Sequence, residues 1–268
     1  MQLTLSDGGT LYYELHGDRG SHLVCLNGAM STTATWAPIA ALASQQHRVI
    51  LVDFRDQGRS SKLAPGYRAD RHCADLIELF DHLGLAQVDL LGVSYGGHVA
   101  MTFERVHAER VRRLVLASIT ARPTPHLRDV GAEWEQIAAE RDADRLFETC
   151  NQQVYATSFL ARYGELLRER QRSVRHLLDD AWFEAFVRLT ASARDFDHEG
   201  HLTAIAAPTL LVCGSEDTLT PADQMFAMAE RIPRCTALAI PSGGHGVVIE
   251  QPRAFVAAVL GFLALDHG

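Results

Sequence analysis

Cysteine is scarce in the sequence, and its few copies form no recognisable framework. The 268 residues contain five cysteines, which are odd in number, widely separated and without a C-x-x-C pair, namely Cys25, Cys73, Cys150, Cys213 and Cys235. Disulfide scaffolds and structural zinc sites require paired or closely spaced cysteines. We therefore expect a protein of the reducing cytoplasm that holds no structural metal.

Long apolar runs and a surplus of basic residues are missing as well. No stretch approaches the roughly 18 apolar residues of a membrane-spanning helix, and residues 1–5 lack the basic start of a signal peptide. The formal net charge of -8 provides no electrostatic attraction to nucleic acid or to an anionic membrane surface. The expected partners are therefore small molecules, and no pattern in the sequence indicates the oligomeric state.

What the sequence does contain is an alternation of short apolar runs with helix-like stretches. The predicted strands are 3–5 and 11–16, which form an opening hairpin, and the near-continuous apolar runs 23–26, 49–52, 88–93, 114–118, 209–213 and 236–240. Apolar residues recur at helical spacing in the intervening stretches 36–44, 71–83 and 97–106, and again at 252–265. This order predicts an α/β fold with a mostly parallel sheet of about eight strands flanked by helices.

The strand pattern disappears between residues 123 and 200, where the sequence is charged and helical. We interpret this stretch as a helical lid inserted into a single core. The predicted organisation is therefore a first part of the core at 1–122, the lid at 123–200 and a second part of the core at 201–268. Aromatic residues are frequent in the lid, but the pattern assigns none of them to substrate binding.

A candidate nucleophile follows the strand predicted at 88–93. Gly92-Val93-Ser94-Tyr95-Gly96 matches the pattern G-x-S-x-G, which on its own arises often by chance. Here it joins an apolar strand directly to a helix, which is the setting that the pattern requires. The turn is so tight that only glycine fits at Gly92 and Gly96, and it holds Ser94 at a helix N-terminus, where developing negative charge is favoured. We predict that Ser94 is a catalytic nucleophile.

A serine hydroxyl needs a base, and the base needs an orienting carboxylate. The best candidate for the base is His245, which lies in a glycine-rich loop directly after the last strand. The best candidate for the acid is Asp217, which directly follows the strand predicted at 209–213, so that the order is Ser, Asp, His. The neighbouring Glu216 is a weaker alternative, because adjacent residues of an extended loop point in opposite directions.

Three other histidines deserve comparison with His245. His98 follows Ser94 by one helical turn and is expected to point away from the attack position, towards packing or solvent contact. His198 and His201 lie near the end of the lid, where they could line a pocket, although exposure to solvent is the expected role.

The intermediate of acyl transfer also requires two hydrogen-bond donors for its oxyanion. One is expected to be the backbone N–H of Tyr95, the residue after the nucleophile, and the other lies in the loop after the third strand, at residues 26–30. With this loop the sequence resembles the α/β-hydrolase-fold enzymes, many of which carry His-Gly where this chain has Asn27-Gly28. The resemblance implies the α/β-hydrolase fold and makes the N–H of Ala29 the second donor. Residues 53–60 are similar to the family's Asp-x-Arg-Gly-x-Gly-x-Ser turn and extend the resemblance over the whole chain.

The stretch 27–34 resembles a narrower group, the bacterial synthases and transacylases that act on 3-hydroxyacyl chains in rhamnolipid and polyhydroxyalkanoate precursor pathways. That resemblance implies acyl transfer, with acyl carrier protein or a CoA thioester as a partner. The chain departs from the group at Tyr95, where those enzymes usually carry tryptophan, and in the small residues that follow His245.

The sequence thus predicts a serine hydrolase that cleaves a carboxylic ester, a thioester or a lactone without metal or cofactor. An acyltransferase that joins 3-hydroxyacyl chains is one alternative, because the same intermediate on Ser94 serves both reactions. A small-molecule receptor without catalysis is a second alternative, because a fold does not dictate a function. The substrate and the residues that bind it are not encoded in any pattern.

Overall fold

Eight strands form one sheet at the centre of the computed structural model, which describes residues 1–265. In chain order they are β1 (Gln2–Thr4), β2 (Thr10–His16), β3 (His22–Leu26), β4 (Arg48–Asp53), β5 (Val88–Val93), β6 (Val111–Ala117), β7 (Thr209–Gly214) and β8 (Cys235–Ile240). Their spatial order is β1-β2-β4-β3-β5-β6-β7-β8. The pairs β1 with β2 and β2 with β4 are antiparallel, and the other neighbours are parallel. The predicted mostly parallel sheet is confirmed.

Helices cover both faces of the sheet. In chain order they are α1 (Ala37–Ala43), α2 (Ala69–His82), α3 (Tyr95–Val106), α4 (Pro125–Ala139), α5 (Ala143–Val154), α6 (Thr157–Val174), α7 (Asp180–Ser192), α8 (Ala222–Ala229), α9 (Val247–Glu250) and α10 (Pro252–Ala264). Within the described residues, no helix is both long and apolar enough to cross a membrane.

The two faces of the sheet bury separate apolar cores because alternate side chains of a strand point to opposite sides. Leu90 of β5 packs in the core that α2, α3 and α8 close, whereas its neighbour Leu91 packs in the core that α1 and α10 close. Every residue of β5 is therefore buried. This two-sided burial explains why the strand is a nearly continuous apolar run, interrupted by Asp89 alone, rather than an alternating one.

The helices α4 to α7 lie between β6 and β7 in the chain, within the predicted lid, and α4, α5 and α7 pack around a third apolar cluster. Phe183 and Phe186 of α7 are buried in it, and the ring of Trp182 stacks on Phe186 at 5.4 Å between centroids. Many of the aromatic residues in this stretch thus serve the packing of the helices.

One ion pair joins α7 to the turn after β4. Two of the guanidinium nitrogens of Arg188, Nε and Nη2, donate to the carboxylate of Asp56 at 3.1 and 2.8 Å. The side chain of Asp56 has no exposed surface. Asp56 has a φ of 71°, in the left-handed region, and it occupies the position where the similar family turn has glycine. Aspartate at this position therefore has a more strained backbone than glycine would have, but its side chain makes a contact with α7 that glycine could not make.

Removal of one partner of this ion pair should lower the free energy of unfolding more than removal of both partners. In Arg188→Met, Asp56 keeps its charge in a buried position without the guanidinium, and we expect the free energy of unfolding to fall by about 3 kcal/mol. In the double variant Asp56→Gly/Arg188→Met the charge is gone and the left-handed backbone suits glycine, so most of the loss should be recovered. Urea denaturation of the wild type, the two single variants and the double variant measures this coupling, and additive losses would contradict it.

His72 of α2 is fully buried, and neither of its ring nitrogens has a hydrogen-bond partner. Its ring stacks on Phe54 at 4.7 Å between centroids. Burial, together with the charges of Arg55 and Arg71, lowers the pKa of His72 to about 3. The ring therefore stays neutral in the folded protein, and its role in this position is that of an aromatic packing residue.

A stability measurement at two pH values can test this role. An unfolded histidine takes up a proton below a pH of about 6.5, whereas folded His72 does not, so its contribution to stability is present above that pH and is lost as the pH falls. The variant His72→Phe should not show this loss. Between pH 7 and pH 5, the difference in free energy of unfolding between the variant and the wild type should therefore shift by about 2 kcal/mol in favour of the variant. The exposed His82 of the same helix provides the control variant His82→Gln. Equal pH dependence of wild type and His72→Phe would contradict the expectation.

Candidate active site

Ser94 lies on a sharp turn between β5 and α3, and its φ and ψ of 51° and −116° are strained for a residue with a side chain. The flanking glycines make this turn possible. A Cβ atom on Gly92 would lie 2.3 Å from the carbonyl oxygen of Gly96, and one on Gly96 would lie 2.2 Å from the carbonyl oxygen of Leu26. The backbone of the turn therefore packs directly on the end of β3, and Ser94 is held at the carboxyl edge of the parallel strands.

The three residues predicted to form a catalytic set are brought together by the fold. The Nε2 atom of His245 lies 2.9 Å from Oγ of Ser94, and its Nδ1 atom lies 3.0 Å from Oδ2 of Asp217. His245 and Asp217 are buried, with exposures of 7% and 5%. A line of hydrogen bonds thus runs from the hydroxyl through the imidazole to the carboxylate.

Asp217 is held by donors from its own loop. The N–H groups of Leu219 and Thr220 both donate to Oδ1 at 2.9 Å, and the hydroxyl of Thr220 donates to Oδ2 at 2.7 Å. Burial alone would raise the pKa of Asp217, but the charge and hydrogen bond of His245, together with the donors from Thr220, hold that pKa below its usual range. The alternative acid, Glu216, is exposed. The geometry therefore favours Asp217 as the partner of the histidine.

The loop that carries His245 is fixed by two residues that sequence reasoning missed. The hydroxyl of Ser118, at the end of β6, donates to the carbonyl oxygen of His245 at 2.8 Å. The carboxylate of Glu250 accepts hydrogen bonds from the N–H of Gly244 and from the N–H of Ala156, both at 3.0 Å. Ala156 immediately precedes α6, so Glu250 joins the histidine loop to the helices between β6 and β7. The local sequence around Glu250 gives no sign of this distant contact.

The residues predicted as oxyanion donors line the same cavity as Ser94. Tyr95 is the first residue of α3, so its backbone N–H has no acceptor within the helix. Ala29 follows Gly28, and a Cβ atom placed on Gly28 would lie 3.8 Å from Cβ of Ser94. The side chain of Gln57 donates to the carbonyl oxygens of Gly28 and Ala29, at 2.7 and 3.3 Å, and thereby fixes the direction of the peptide groups in this loop.

Asn27, which the sequence comparison with the synthase group emphasised, is fully buried under the loop. Its Oδ1 accepts from the indole N–H of Trp36 at 2.7 Å, and its Nδ2 donates to Asp53 and Gln57 at 3.2 and 3.3 Å. The side chain thus holds the loop in place. Its surroundings offer a structural reason for asparagine that applies equally to a hydrolase, and membership of the narrower synthase and transacylase group is not shown.

A cavity that is partly open to solvent extends from Ser94 and His245 towards the helices between β6 and β7. Leu127, Val130 and Trp134 of α4 contribute to its largely apolar wall. An apolar cavity with a few polar groups at one end is the usual form of a small-molecule site.

The expectations for the other histidines need correction. His198 was expected to face solvent, but it is only 2% exposed, and its Nε2 atom lies 2.8 Å from Nδ1 of His98. His201 is partly buried against Glu104, with its Nε2 atom 2.5 Å from the carboxylate. His98 does pack inside the protein, as expected, but its ring also lines the cavity that contains Ser94. Tertiary contacts between α3 and the segment after α7 caused these differences.

A serine on a strained strand-to-helix turn, next to a histidine and an aspartate at the carboxyl edge of a mostly parallel sheet, is the arrangement of α/β-hydrolase-fold enzymes. The chain belongs to the alpha/beta hydrolase family, whose model matches residues 23–259. The fold and the general class of enzyme that the sequence predicted are thereby confirmed.

Similar proteins of full length agree with this assignment. A protein of Caulobacter sp. (strain K31), named RutD and described as a proposed carbamate hydrolase, is 30% identical over 98% of both chains. The crystal structure of MGS-M2, an alpha/beta hydrolase enzyme from a Medee basin deep-sea metagenome library, is 29% identical and superimposes with a TM-score of 0.95 over 100% of this chain and 98% of the other. A thermophilic esterase from Thermogutta terrifontis is 26% identical, with a TM-score of 0.86 over 98% and 97% of the two chains.

Proposed function

We propose that the chain is a serine hydrolase that cleaves a carboxylic ester, a thioester or a lactone through an acyl-enzyme on Ser94. The observation that carries the proposal is the line of hydrogen bonds from Ser94 through His245 to Asp217, which opens into an apolar cavity. The relatives support hydrolysis as the general reaction, and an ester, thioester or lactone is the substrate that this arrangement suits.

In the first step Oγ of Ser94 attacks the substrate carbonyl while Nε2 of His245 removes the hydroxyl proton. The negative oxygen of the tetrahedral intermediate accepts hydrogen bonds from the N–H groups of Ala29 and Tyr95, and each such donor contributes about 10²- to 10³-fold to the rate. The intermediate collapses, the bond to the leaving group breaks, and the imidazolium returns its proton to the leaving oxygen or sulfur. Asp217 holds the tautomer and stabilises the charge of His245.

In the second step water replaces the alcohol or thiol that has left. His245 removes a proton from the water, the resulting hydroxide attacks the acyl-enzyme carbonyl, and the same oxyanion donors stabilise the second intermediate. The Oγ bond then breaks, Ser94 takes the proton from His245, and the carboxylic acid is released. All proton transfers use a single base, so the mechanism requires no metal or cofactor.

The helices α4 to α7 act in this proposal as a lid, within the predicted segment 123–200. Leu127, Val130 and Trp134 form one wall of the cavity that contains Ser94, so the lid supplies the apolar surface against which an acyl or alkyl group packs. Exclusion of bulk water by this surface strengthens the hydrogen bonds to the oxyanion.

The test is a product analysis that separates the candidate reactions. Purified protein is incubated with p-nitrophenyl esters, lactones, N-substituted carbamates and 3-hydroxyacyl thioesters, and the products are identified by mass spectrometry. We expect free acids from esters or lactones. A dimeric hydroxyacyl ester as the main product would replace the hydrolase with the acyltransferase alternative. Turnover of the carbamates alone would move the substrate class to that of the Caulobacter relative's name.

Labelling with a fluorophosphonate probe addresses the receptor alternative. The probe should add to Ser94, and peptide mapping should locate the adduct on that residue, because an activated serine hydroxyl attacks phosphorus readily. The variant Ser94→Ala should remain unlabelled. A wild type that is equally unlabelled would contradict the proposal of an enzyme.

A further inference from the structure

The side chains of His98 and His198 form a buried pair beside the proposed catalytic residues. The Nδ1 atom of His98 and the Nε2 atom of His198 are 2.8 Å apart, and the two residues are 5% and 2% exposed. The ring of His98 stacks on Phe196, with 4.5 Å between centroids and 25° between planes, and it meets the edge of Tyr95 at 6.2 Å. These contacts fix the plane of the His98 ring, which lines the cavity containing Ser94.

Both rings are neutral in the folded protein. Burial lowers the pKa of His98 well below its usual value, and burial together with the charges of Arg105 and His201 lowers the pKa of His198 to about 4. A hydrogen bond between two neutral imidazoles contains one proton, so one ring donates and the other accepts.

The surroundings of His198 decide which ring donates. Its second nitrogen, Nδ1, is buried and has no hydrogen-bond partner. In protein backbones an unpaired buried N–H donor is rarer than an unpaired acceptor. Applied to the imidazole, the same preference leaves Nδ1 of His198 unprotonated and places the hydrogen on Nε2. His198 therefore donates to Nδ1 of His98. His98 must then carry its own hydrogen on Nε2, the one polar atom of its ring that the pair leaves for the cavity.

We propose that His98 determines substrate specificity by donating a hydrogen bond from Nε2 to an acceptor oxygen of the substrate other than the scissile carbonyl. This inference rests on the proposed hydrolysis at Ser94 and narrows its substrate class. His98 lies four residues after Ser94 on α3, which places it about 6 Å further along the helix axis. The acceptor therefore belongs a few bonds from the scissile carbon, as a keto, hydroxyl, ether or second ester oxygen.

The physical basis is the contrast between this donor and the apolar wall. An acceptor oxygen loses its water on entering the cavity, and the pre-oriented N–H replaces that water without further ordering of a side chain. A substrate without the oxygen covers the N–H with apolar atoms and leaves it unpaired. Sites built around one such hydrogen bond discriminate against the analogue that lacks it, and we expect a preference on the order of tenfold to a hundredfold.

Matched substrates test the proposal. In one series of p-nitrophenyl esters a keto group is moved carbon by carbon along a straight acyl chain, and in a second series of acetate esters it is moved along the alcohol. For at least one position the wild type should prefer the keto compound over its plain analogue in kcat/KM, and the series in which this occurs identifies the side of the scissile bond. In His98→Phe, which keeps an aromatic ring on Phe196, the preference should fall to near unity.

The control is His201→Gln. His201 lies on the same segment as His198 and contacts Glu104 rather than the cavity, and glutamine can keep that hydrogen bond, so the keto preference should persist. A wild type without a keto preference in either series, or the same preference in His98→Phe, overturns the proposal.

Two further measurements test the role of His98 independently of hydrolysis at Ser94. Long-range proton–nitrogen NMR of the wild type with labelled histidine should show the hydrogen on Nε2 in both His98 and His198, and a hydrogen on Nδ1 of His98 overturns the proposal without any substrate. Calorimetric binding of the same ester pairs to Ser94→Ala should show the keto preference as affinity. If the wild type hydrolyses neither these esters nor the lactones and thioesters of the product analysis, the proposed function fails, while this affinity difference still decides the role of His98.

Discussion

Replacing Ser94 with alanine is expected to lower kcat for the best ester substrate by a factor on the order of 10⁶, because the attacking atom is gone and no other group of the site replaces it. The residual rate should stay above that of the uncatalysed reaction, since the cavity and the N–H groups of Ala29 and Tyr95 are unchanged. Alanine tolerates the backbone angles of Ser94 as poorly as serine does, so the variant should fold normally. Steady-state kinetics with circular dichroism of both proteins measures the effect.

A second serine with a positive φ serves as the control. Ser242 has a φ of 56° and is exposed at the edge of the sheet, outside the cavity, so Ser242→Ala tests whether loss of a hydroxyl from a position with positive φ has a general effect. Surface substitutions usually change the free energy of unfolding by no more than about 0.5 kcal/mol, and Ser242 lies outside the cavity, so kcat should remain within about twofold of the wild type. Activity of Ser94→Ala above a few per cent of the wild type would assign the chemistry to another nucleophile.

Changing Asp217 to asparagine is expected to lower kcat by a factor on the order of 10⁴. The amide removes the charge that stabilises the imidazolium. Its NH₂ group donates to Nδ1 of His245, so the imidazole hydrogen moves to Nε2. The protonated Nε2 cannot accept the proton of Ser94. KM should change much less, because Asp217 is buried behind the histidine. Pre-steady-state release of p-nitrophenol would show that the acylation step itself is slow.

The adjacent carboxylate offers the matched control. Glu216 is exposed and its side chain lies outside the line of hydrogen bonds, so Glu216→Gln should keep kcat within about twofold of the wild type. A larger loss in Glu216→Gln than in Asp217→Asn would exchange the roles of the two residues.

Much of the fold could be predicted because burial on both faces leaves a clear mark on the sequence. Strands such as β5 and β7 are covered by helices on both sides, and their residues are accordingly almost all apolar, with Asp89 and Thr209 as buried polar exceptions. The stretch 123–200 contrasts with this pattern because its helices expose a charged face. The edges of the elements were harder to place, since α3 begins at Tyr95 rather than Gly97, directly after the strained serine.

The three residues of the candidate site could be predicted from the sequence because of the topology of the sheet. The carboxyl ends of β5, β7 and β8 meet at one edge of the sheet, so Ser94, Asp217 and His245 could be grouped by the strands that they follow. The supporting residues could not be grouped in this way. The partner of Glu250 is 94 residues away at Ala156, and His98 and His198 are 100 residues apart. Such contacts depend on how the helices α4 to α7 return to the sheet, which no local pattern records.

The double hydrogen bond of Glu250 has a consequence for the timing of catalysis. Its carboxylate holds Gly244, next to the histidine, with one oxygen and the residue before α6 with the other. If the helices above the cavity swing outward to admit a substrate, this bridge opens and the imidazole loses part of its support. In that case the base would be fully aligned only once the helices had closed again, and an entering substrate would meet a competent histidine after it had been enclosed.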